Sequence, residues 1–271
     1  MKNKIDTKLQ LYARAEERKI EGECDLANFI FTRSEKNLSE LIMKAWLMHN
    51  AKKMITELSI TRLQRLEHVL KTGSCVTKNC IWLQSALEVL YLNNIKREVF
   101  GEAVMSLMRH GRSKFRNLIL IGRSNTAKTF LLKPLTVIYK DNIFENPSME
   151  KYGWAGIDKA QVVLLQDFRY SKELIPWGNF LLLLEGESVS LPTAKNHHAE
   201  DIKISSDNDI PFFATARAKI EYSKFSPDYE IETEMMDSRW NIFQLKHQFP
   251  QAQQITMQPC PRCFVDLISS Q

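Results

Sequence analysis

The sequence lacks a long hydrophobic run. Uninterrupted apolar stretches such as residues 181–184 are far shorter than the roughly 20 apolar residues that a membrane-spanning helix needs. Residues 1–4 lead into charged sequence without the apolar core of a signal peptide. These absences exclude a transmembrane or secreted class and predict an intracellular protein of the nucleus or cytoplasm.

Cysteine is scarce, and its number is odd. Five cysteines at irregular spacings in 271 residues do not form the disulfide framework of a small secreted domain. Cys260 and Cys263 are separated by two residues, but a tetrahedral zinc site needs two further ligands. Cys75, Cys80 or His247 could supply them, although the sequence does not place them nearby. Reduced thiols, half of a zinc site and redox chemistry are the alternatives for this pair.

Glycine is rare in the first part of the chain, where only Gly22, Gly73 and Gly101 precede Gly111. Apolar residues at three- and four-residue intervals predict helices over residues 37–58, 81–92 and 99–108, with a break at Gly73. The net charge of +5 favours contact with phosphate backbones but identifies no partner. We predict a helical oligomerisation or collar region over residues 1–110.

From residue 117 the pattern changes to short apolar runs separated by turns and helices, which is typical of a parallel α/β sheet. Four such runs are predicted as strands, namely residues 118–121, 162–165, 211–215 and 242–245. We predict an α/β domain over residues 111–250, followed by a C-terminal tail with the Cys-x-x-Cys pair over residues 251–271.

The first of these strands leads into a candidate phosphate-binding loop. Gly122 and the sequence Arg-Ser-Asn-Thr-Ala-Lys-Thr of residues 123–129 precede a helix-compatible stretch. Backbone N–H groups at a helix start hold phosphates, Lys128 would reach the β and γ phosphates, and Thr129 would ligate Mg²⁺. The predicted ATP-binding residues are Gly122, Asn125, Thr126, Ala127, Lys128 and Thr129. A fortuitous strand, turn and helix is the alternative.

Ala127 departs from the usual loop pattern, which has glycine at this position. If the backbone there has a positive φ, alanine costs roughly 1–2 kcal/mol of strain. We therefore expect ATP binding to be weakened rather than lost.

A second, acidic strand follows about forty residues after the loop. Gln166 and Asp167 directly follow the apolar residues 162–165. They lie at the carboxyl end of a strand, where ligands bind in α/β sheets. We predict that Asp167 holds Mg²⁺ together with Thr129, and that Gln166 orients the attacking water. Because an amide cannot accept a proton as a carboxylate does, hydrolysis would be slow. An aspartate in an ordinary turn is the alternative.

Together these motifs resemble superfamily 3 helicases, the hexameric AAA+ motors of parvovirus-type nonstructural proteins and circular single-stranded DNA virus Rep proteins. The resemblance covers residues 80–250. Residues 122–129 resemble the family's phosphate loop, and residues 164–170 resemble its acidic motif. It implies an α/β P-loop NTPase of the AAA+ type, with a central parallel sheet preceded by an all-α domain. It also implies an ATP-dependent DNA helicase of replication that binds Mg-ATP as a homo-oligomeric ring.

Three further segments carry the resemblance. Residues 185–198 are similar to a β-hairpin whose tip, here Lys195, His197 and His198, contacts single-stranded DNA. A solvated surface or a metal site is the alternative for the two histidines. Residues 211–217 resemble the sensor motif, but Arg217 replaces its asparagine and would either bind the γ-phosphate or mark a defunct site. Arg239 is a candidate arginine finger, with a salt bridge as its alternative.

The nicking nuclease that usually precedes such helicases is absent, because no His-x-His with a downstream catalytic Tyr occurs in the first hundred residues. Origin nicking is therefore not predicted, and a nicking nuclease would be a separate partner. Two other functions compete with the helicase. One is a catalytically degenerate P-loop protein that binds DNA or a protein without turning over ATP, and the other is a P-loop NTPase of another class.

Overall fold

The computed structural model describes residue 5 and residues 7–76, 78–148, 152–192, 202–253 and 256–269. The chain divides into two compact units, Met1–Ile60 and Thr61–Gln271. The helices that follow residue 60 thus belong to the same unit as the sheet. The division at residues 110 and 250 stays a prediction about domain organisation.

The first unit is entirely helical in its described residues, with α1 (Lys8–Ile20), α2 (Asp25–Phe31) and α3 (Glu35–Ser59). A capping box between Thr7 and Gln10 begins α1, and the Ser34 hydroxyl caps α3. The long α3 exposes several large apolar side chains to solvent, including Trp46, Leu47, Met48 and Ile55.

The second unit begins with α4 (Arg62–Thr72), α5 (Ile81–Leu92) and α6 (Arg97–His110). These helices pack with α11 (Pro261–Ile268), the last helix of the chain. Trp82, Phe100 and Phe264 are fully buried in their shared core. The predicted helices over residues 81–92 and 99–108 and the break at Gly73 are confirmed.

A five-stranded parallel sheet forms the centre of the second unit. Its strands are β1 (Asn117–Ile121), β2 (Ile143–Glu145), β3 (Val162–Leu165), β6 (Phe212–Ala216) and β7 (Trp240–Gln244), in the order β2-β3-β6-β1-β7. Helices α7 (Lys128–Leu132), α8 (Pro134–Ile138), α9 (Trp177–Glu185) and α10 (Tyr229–Asp237) flank it. All residues of β1, β3 and β6 are buried, as strands covered on both faces require.

Two predictions about the sheet region are refined. The helix-compatible stretch after the loop is two short helices, because Pro134 cannot donate a backbone hydrogen bond and begins a new helix. Strand β2 was not predicted, since it has only three residues, of which Ile143 and Phe144 are partly buried and Glu145 is exposed.

A hairpin stands apart from the sheet. Strands β4 (Val189–Leu191) and β5 (Ile202–Ile204) pair antiparallel, so the arms of the predicted hairpin are confirmed. Ser190 and its partner Lys203 are exposed, whereas Val189 and Leu191 are buried. This alternation is that of a half-buried strand pair.

The architecture is that of an α/β P-loop NTPase-like fold, with helices preceding a central parallel sheet. Across the described ranges, no helix combines the length and the apolar character that a membrane crossing requires.

Candidate nucleotide-binding site

The loop after β1 is held closely by its neighbours. The backbone N–H of Gly122 donates to the carbonyl oxygen of Ala216 at 3.1 Å, and a Cβ at Gly122 would collide with the carbonyl oxygen of Leu245. Glycine is therefore required by close backbone approach. The segment after β7 braces the other side of the loop, since the N–H of Phe249 donates to the Asn125 carbonyl at 2.9 Å.

Ala127 lies in the left-handed region, with φ of 64°. The sequence predicted strain at this position if its φ was positive, and the φ is positive. An L-residue pays roughly 1–2 kcal/mol for this conformation. Asn125 also has a positive φ of 62°, but asparagine tolerates it better than alanine does. The loop therefore carries backbone strain at the position where the family pattern has glycine.

Lys128 is the first residue of α7, and its side chain turns back into the loop. The ammonium donates to the carbonyl oxygens of Gly122 and Arg123, each at 2.7 Å. The residue is only 7% exposed. Burial lowers the pKa of Lys128, and the negative charge of Asp167 opposes this shift. A buried ammonium thus lies beside the N-terminus of α7, facing the carboxylate at the end of β3.

The turn at Asp167 and strand β6 are joined by hydrogen bonds. The N–H of Asp167 donates to the Thr215 hydroxyl at 2.8 Å, and the N–H of Phe168 donates to the Thr215 carbonyl at 2.8 Å. Asp167 has a φ of 46°, so these contacts hold it in a left-handed turn. Its side chain is exposed towards the cavity described next.

A cavity of about 1380 Å³ opens above the loop. One wall is the loop and the start of α7, and another is formed by α5 and the segment after β7. The residues of this second wall include Val89, Leu92, His247, Phe249 and Met257. The rings of His247 and Phe249 lie 4.8 Å apart and meet edge to face. The cavity thus lies between the loop after β1 and a partly apolar, aromatic wall.

Cationic side chains also line the cavity. Arg217 is exposed there, directly after β6. Arg169 and Lys219 line it as well. Arg169 was missed by the sequence analysis, although its place two residues after Asp167 was a usable signal.

Gln166 does not contribute to this cavity. Its side-chain amide donates to Glu145 at 2.8 Å, and its backbone N–H donates to the Asn146 side chain at 2.6 Å. Gln166 is absent from the residues lining the cavity in the described part of the chain. The expectation that Gln166 orients the attacking water is corrected accordingly, because successive residues after a strand point in different directions.

Arg239 is also placed away from the cavity. It is 5% exposed and forms an ion pair with Glu185, which a second ion pair joins to Lys114 at 2.6 Å. Its guanidinium also donates to the Met235 carbonyl at 2.6 Å. This is the salt-bridge alternative, within the protein rather than on its surface. These contacts favour the salt-bridge alternative. The arginine-finger role concerns a neighbouring chain's site and stays a prediction.

The predicted DNA-binding residues lie outside the part of the chain that the structure describes. They are Lys195, His197 and His198. The structure therefore brings together Gly122, Asn125, Thr126, Ala127, Lys128, Thr129, Asp167 and Arg217. It separates Gln166 and Arg239 from them.

Comparisons with known proteins give distant matches. No protein-family model and no curated protein matches the chain. Among solved structures, the chain is similar to the apo NrS-1 C terminal region, with 12% identity, a TM-score of 0.43 and coverage of 69% of this chain and 42% of that one. It is also similar to the JCV helicase, with 15% identity, a TM-score of 0.46 and coverage of 85% and 64%. The chain thus spans less than two thirds of either structure.

Proposed function

We propose that the cavity binds Mg-ATP. The observation that carries this proposal is the position of Lys128, a buried ammonium at the first turn of α7 that faces Asp167. Burial strengthens the interaction of this charge with phosphate oxygens. The aromatic and apolar wall opposite the loop suits a nucleobase.

The residues present also fit a magnesium ion. The Thr129 hydroxyl and the Asp167 carboxylate line the cavity, and both are the hard oxygen ligands that Mg²⁺ prefers. The bound ion would neutralise phosphate charge during transfer. Among the described residues, four cationic and three acidic side chains line the cavity, so it favours an anionic ligand. The cations are Lys128, Arg169, Arg217 and Lys219, and the acids are Glu88, Asp167 and Glu221.

We further propose that ATP turnover drives movement on single-stranded DNA in a ring of identical chains. The resemblance to superfamily 3 helicases supports this, together with the observed hairpin arms, on which Lys203 is exposed. The tip residues Lys195, His197 and His198 would contact the phosphate backbone. The exposed apolar side chains of α3 suit contacts between copies of the chain.

A second candidate is a P-loop protein that binds nucleotide without turning it over. Two observations favour it. Ala127 is strained at a position where glycine is usual, and Arg217, a permanent cation, stands where the family uses a neutral asparagine. A guanidinium donates hydrogen bonds only and cannot accept one from water.

Binding of Mg-ATP by titration calorimetry tests the proposed site. We expect Lys128→Ala and Asp167→Ala to weaken affinity at least tenfold, since each removes a charged contact worth about 1.5–3 kcal/mol. Lys133→Ala is the matched control, because Lys133 is exposed and follows α7 without lining the cavity. Equal affinity in all four proteins would remove the proposed site.

A further inference from the structure

Three thiols meet on the side of the second unit where α11 begins. Cys75 lies between α4 and α5, whereas Cys260 and Cys263 lie at the start of α11. Their sulfur atoms are all within 4.8 Å of one another. The Sγ of Cys75 lies 3.4 Å from that of Cys263 and 3.8 Å from that of Cys260. In the described ranges, no other group of three metal-ligating side chains comes together in this way.

A fourth thiol adjoins the cluster. Cys80 precedes α5, and its side chain hydrogen bonds with those of Cys75 and Cys263, although its sulfur is not among the three that lie within 4.8 Å of one another. It packs against the same hydrophobic core. Four of the five cysteines therefore converge, although about 180 residues separate the two pairs in sequence. The fifth, Cys24, is exposed and belongs to the other compact unit.

The spacing of the sulfur atoms matches a metal site rather than a disulfide. Zinc bonds to thiolates at about 2.3 Å, so neighbouring sulfurs of a tetrahedral site lie roughly 3.8 Å apart. A disulfide needs about 2.05 Å between its sulfurs. The separations of 3.4 and 3.8 Å fit ligands that share an ion, and they also fit hydrogen bonds between protonated thiols when no ion is bound.

Local backbone structure supports this assignment. The N–H of Val76 donates to the Cys260 sulfur at 3.4 Å, a contact that stabilises negative charge on a ligating sulfur. Asn79 and Cys80 both have positive φ angles, 57° and 53°. Two consecutive L-residues in this region are costly, and ligation by Cys80 would offset that cost.

We propose that Cys75, Cys80, Cys260 and Cys263 bind one Zn²⁺ in a tetrahedral structural site. Four protein ligands leave no position for a substrate, so the site is not catalytic. Binding forms four Zn–S bonds, and the thiol protons are released to solvent with no change in oxidation state.

The ion would fasten α11 to the segment between α4 and α5. Helix α5 supplies Ser85, Glu88, Val89 and Leu92 to the nucleotide cavity, and Met257 lies just before Cys260. Zinc at this position would therefore stabilise the cavity wall opposite the phosphate loop. The inference does not depend on ATP binding, because the cluster shares no residue with the cavity lining.

The test measures zinc in the full chain, purified with a reductant and without chelators, by mass spectrometry of the metal. We expect one zinc per chain in wild type and in the control Cys24→Ser. Cys75→Ser and Cys263→Ser should hold less than half of this and melt at lower temperature. In case these variants fail to fold, Co²⁺ is exchanged into the wild-type chain, where tetrahedral thiolate ligation gives a characteristic visible spectrum.

Three results would overturn the proposal. The first is wild-type protein that is folded without zinc and gives no tetrahedral cobalt spectrum. The second is full zinc content in both Cys75→Ser and Cys263→Ser, and the third is a Cys75–Cys263 disulfide that persists in protein purified with the reductant.

Discussion

The backbone N–H of Asp167 donates a hydrogen bond to the side-chain hydroxyl of Thr215, which is fully buried on the neighbouring strand. This contact fixes the turn that carries the proposed metal ligand. It also links the end of β3 to the strand that carries Arg217 at its end. The loop after β1, the turn at Asp167 and Arg217 are thus joined through β6, which lies between β1 and β3.

Replacing Thr215 by Val keeps the shape of the side chain but leaves the Asp167 N–H without its acceptor. We expect a loss of about 1–3 kcal/mol in the free energy of unfolding and a weaker dependence of nucleotide binding on Mg²⁺. Thr215→Ser retains the hydroxyl and should restore the Mg²⁺ dependence. Urea unfolding and calorimetry at several Mg²⁺ concentrations measure both effects. Identical Mg²⁺ dependence in the Val and Ser variants would show that the contact does not position Asp167.

Ala127→Gly should relieve the strain of the loop. Glycine adopts the observed φ of 64° without the steric penalty, although it loses more backbone entropy on folding than alanine does. We expect the net free energy of unfolding to rise by roughly 1 kcal/mol. Affinity for Mg-ATP should be equal or higher. Ala103→Gly, a control in the middle of α6, should instead destabilise the protein by about 1 kcal/mol. Destabilisation by both changes would mean that Ala127 is not strained.

Arg239→Met should reduce stability without specifically impairing ATP turnover. Removing one partner of a buried ion pair costs about 3–5 kcal/mol, and we expect the lower end because Glu185 keeps its contact with Lys114. Turnover per folded molecule should change less than threefold at low temperature. If a stably folded Arg239→Met protein lost turnover a hundredfold or more, and regained it when mixed with an ATP-binding-deficient Lys128→Ala chain, an arginine finger would be indicated instead.

Alkaline pH should weaken nucleotide binding through Lys128. Burial lowers the pKa of this ammonium from its ordinary value of 10.5, so the free protein loses the charge at a lower pH than an exposed lysine does. The affinity for Mg-ATP should therefore fall as the pH rises, beginning at pH values below 10.5. Because the unfolded chain binds this proton more tightly, the same shift makes stability increase with pH over that interval. Lys128→Arg keeps its charge, and its weaker affinity should be flat over the same range. Parallel pH profiles for both proteins would exclude Lys128 as the titrating group.

The elements that sequence reasoning predicted best are those set by local pattern. The helix at residues 81–92 and the strand at residues 162–165 have the predicted bounds, because their periodicity and apolar runs are contained in a few consecutive residues. The strand, loop and helix around residues 117–132 were predictable for the same reason, since they follow one another directly.

The pairings that the sequence left open depend on partners distant in sequence. Arg239 meets Glu185 across 54 residues, and Cys75 meets Cys263 across 188 residues. Neither pairing leaves a local signal. Gln166 differs in kind, because its neighbour Asp167 lines the cavity and Gln166 does not. The Gln166 side chain points away from the cavity and donates a hydrogen bond to Glu145. Glu145 lies on β2, a strand that the sequence did not predict.

The most direct test of the proposed function is the steady-state ATPase rate with and without single-stranded DNA. We expect single-stranded DNA to stimulate ATP turnover by the wild type several-fold. Lys128→Ala and Asp167→Ala should abolish turnover, and Lys133→Ala should leave it unchanged. A wild-type rate no higher than that of Lys128→Ala, in folded and assembled protein that still binds Mg-ATP, would contradict the motor and favour nucleotide binding without turnover. Turnover that single-stranded DNA does not alter would indicate a P-loop NTPase of another class.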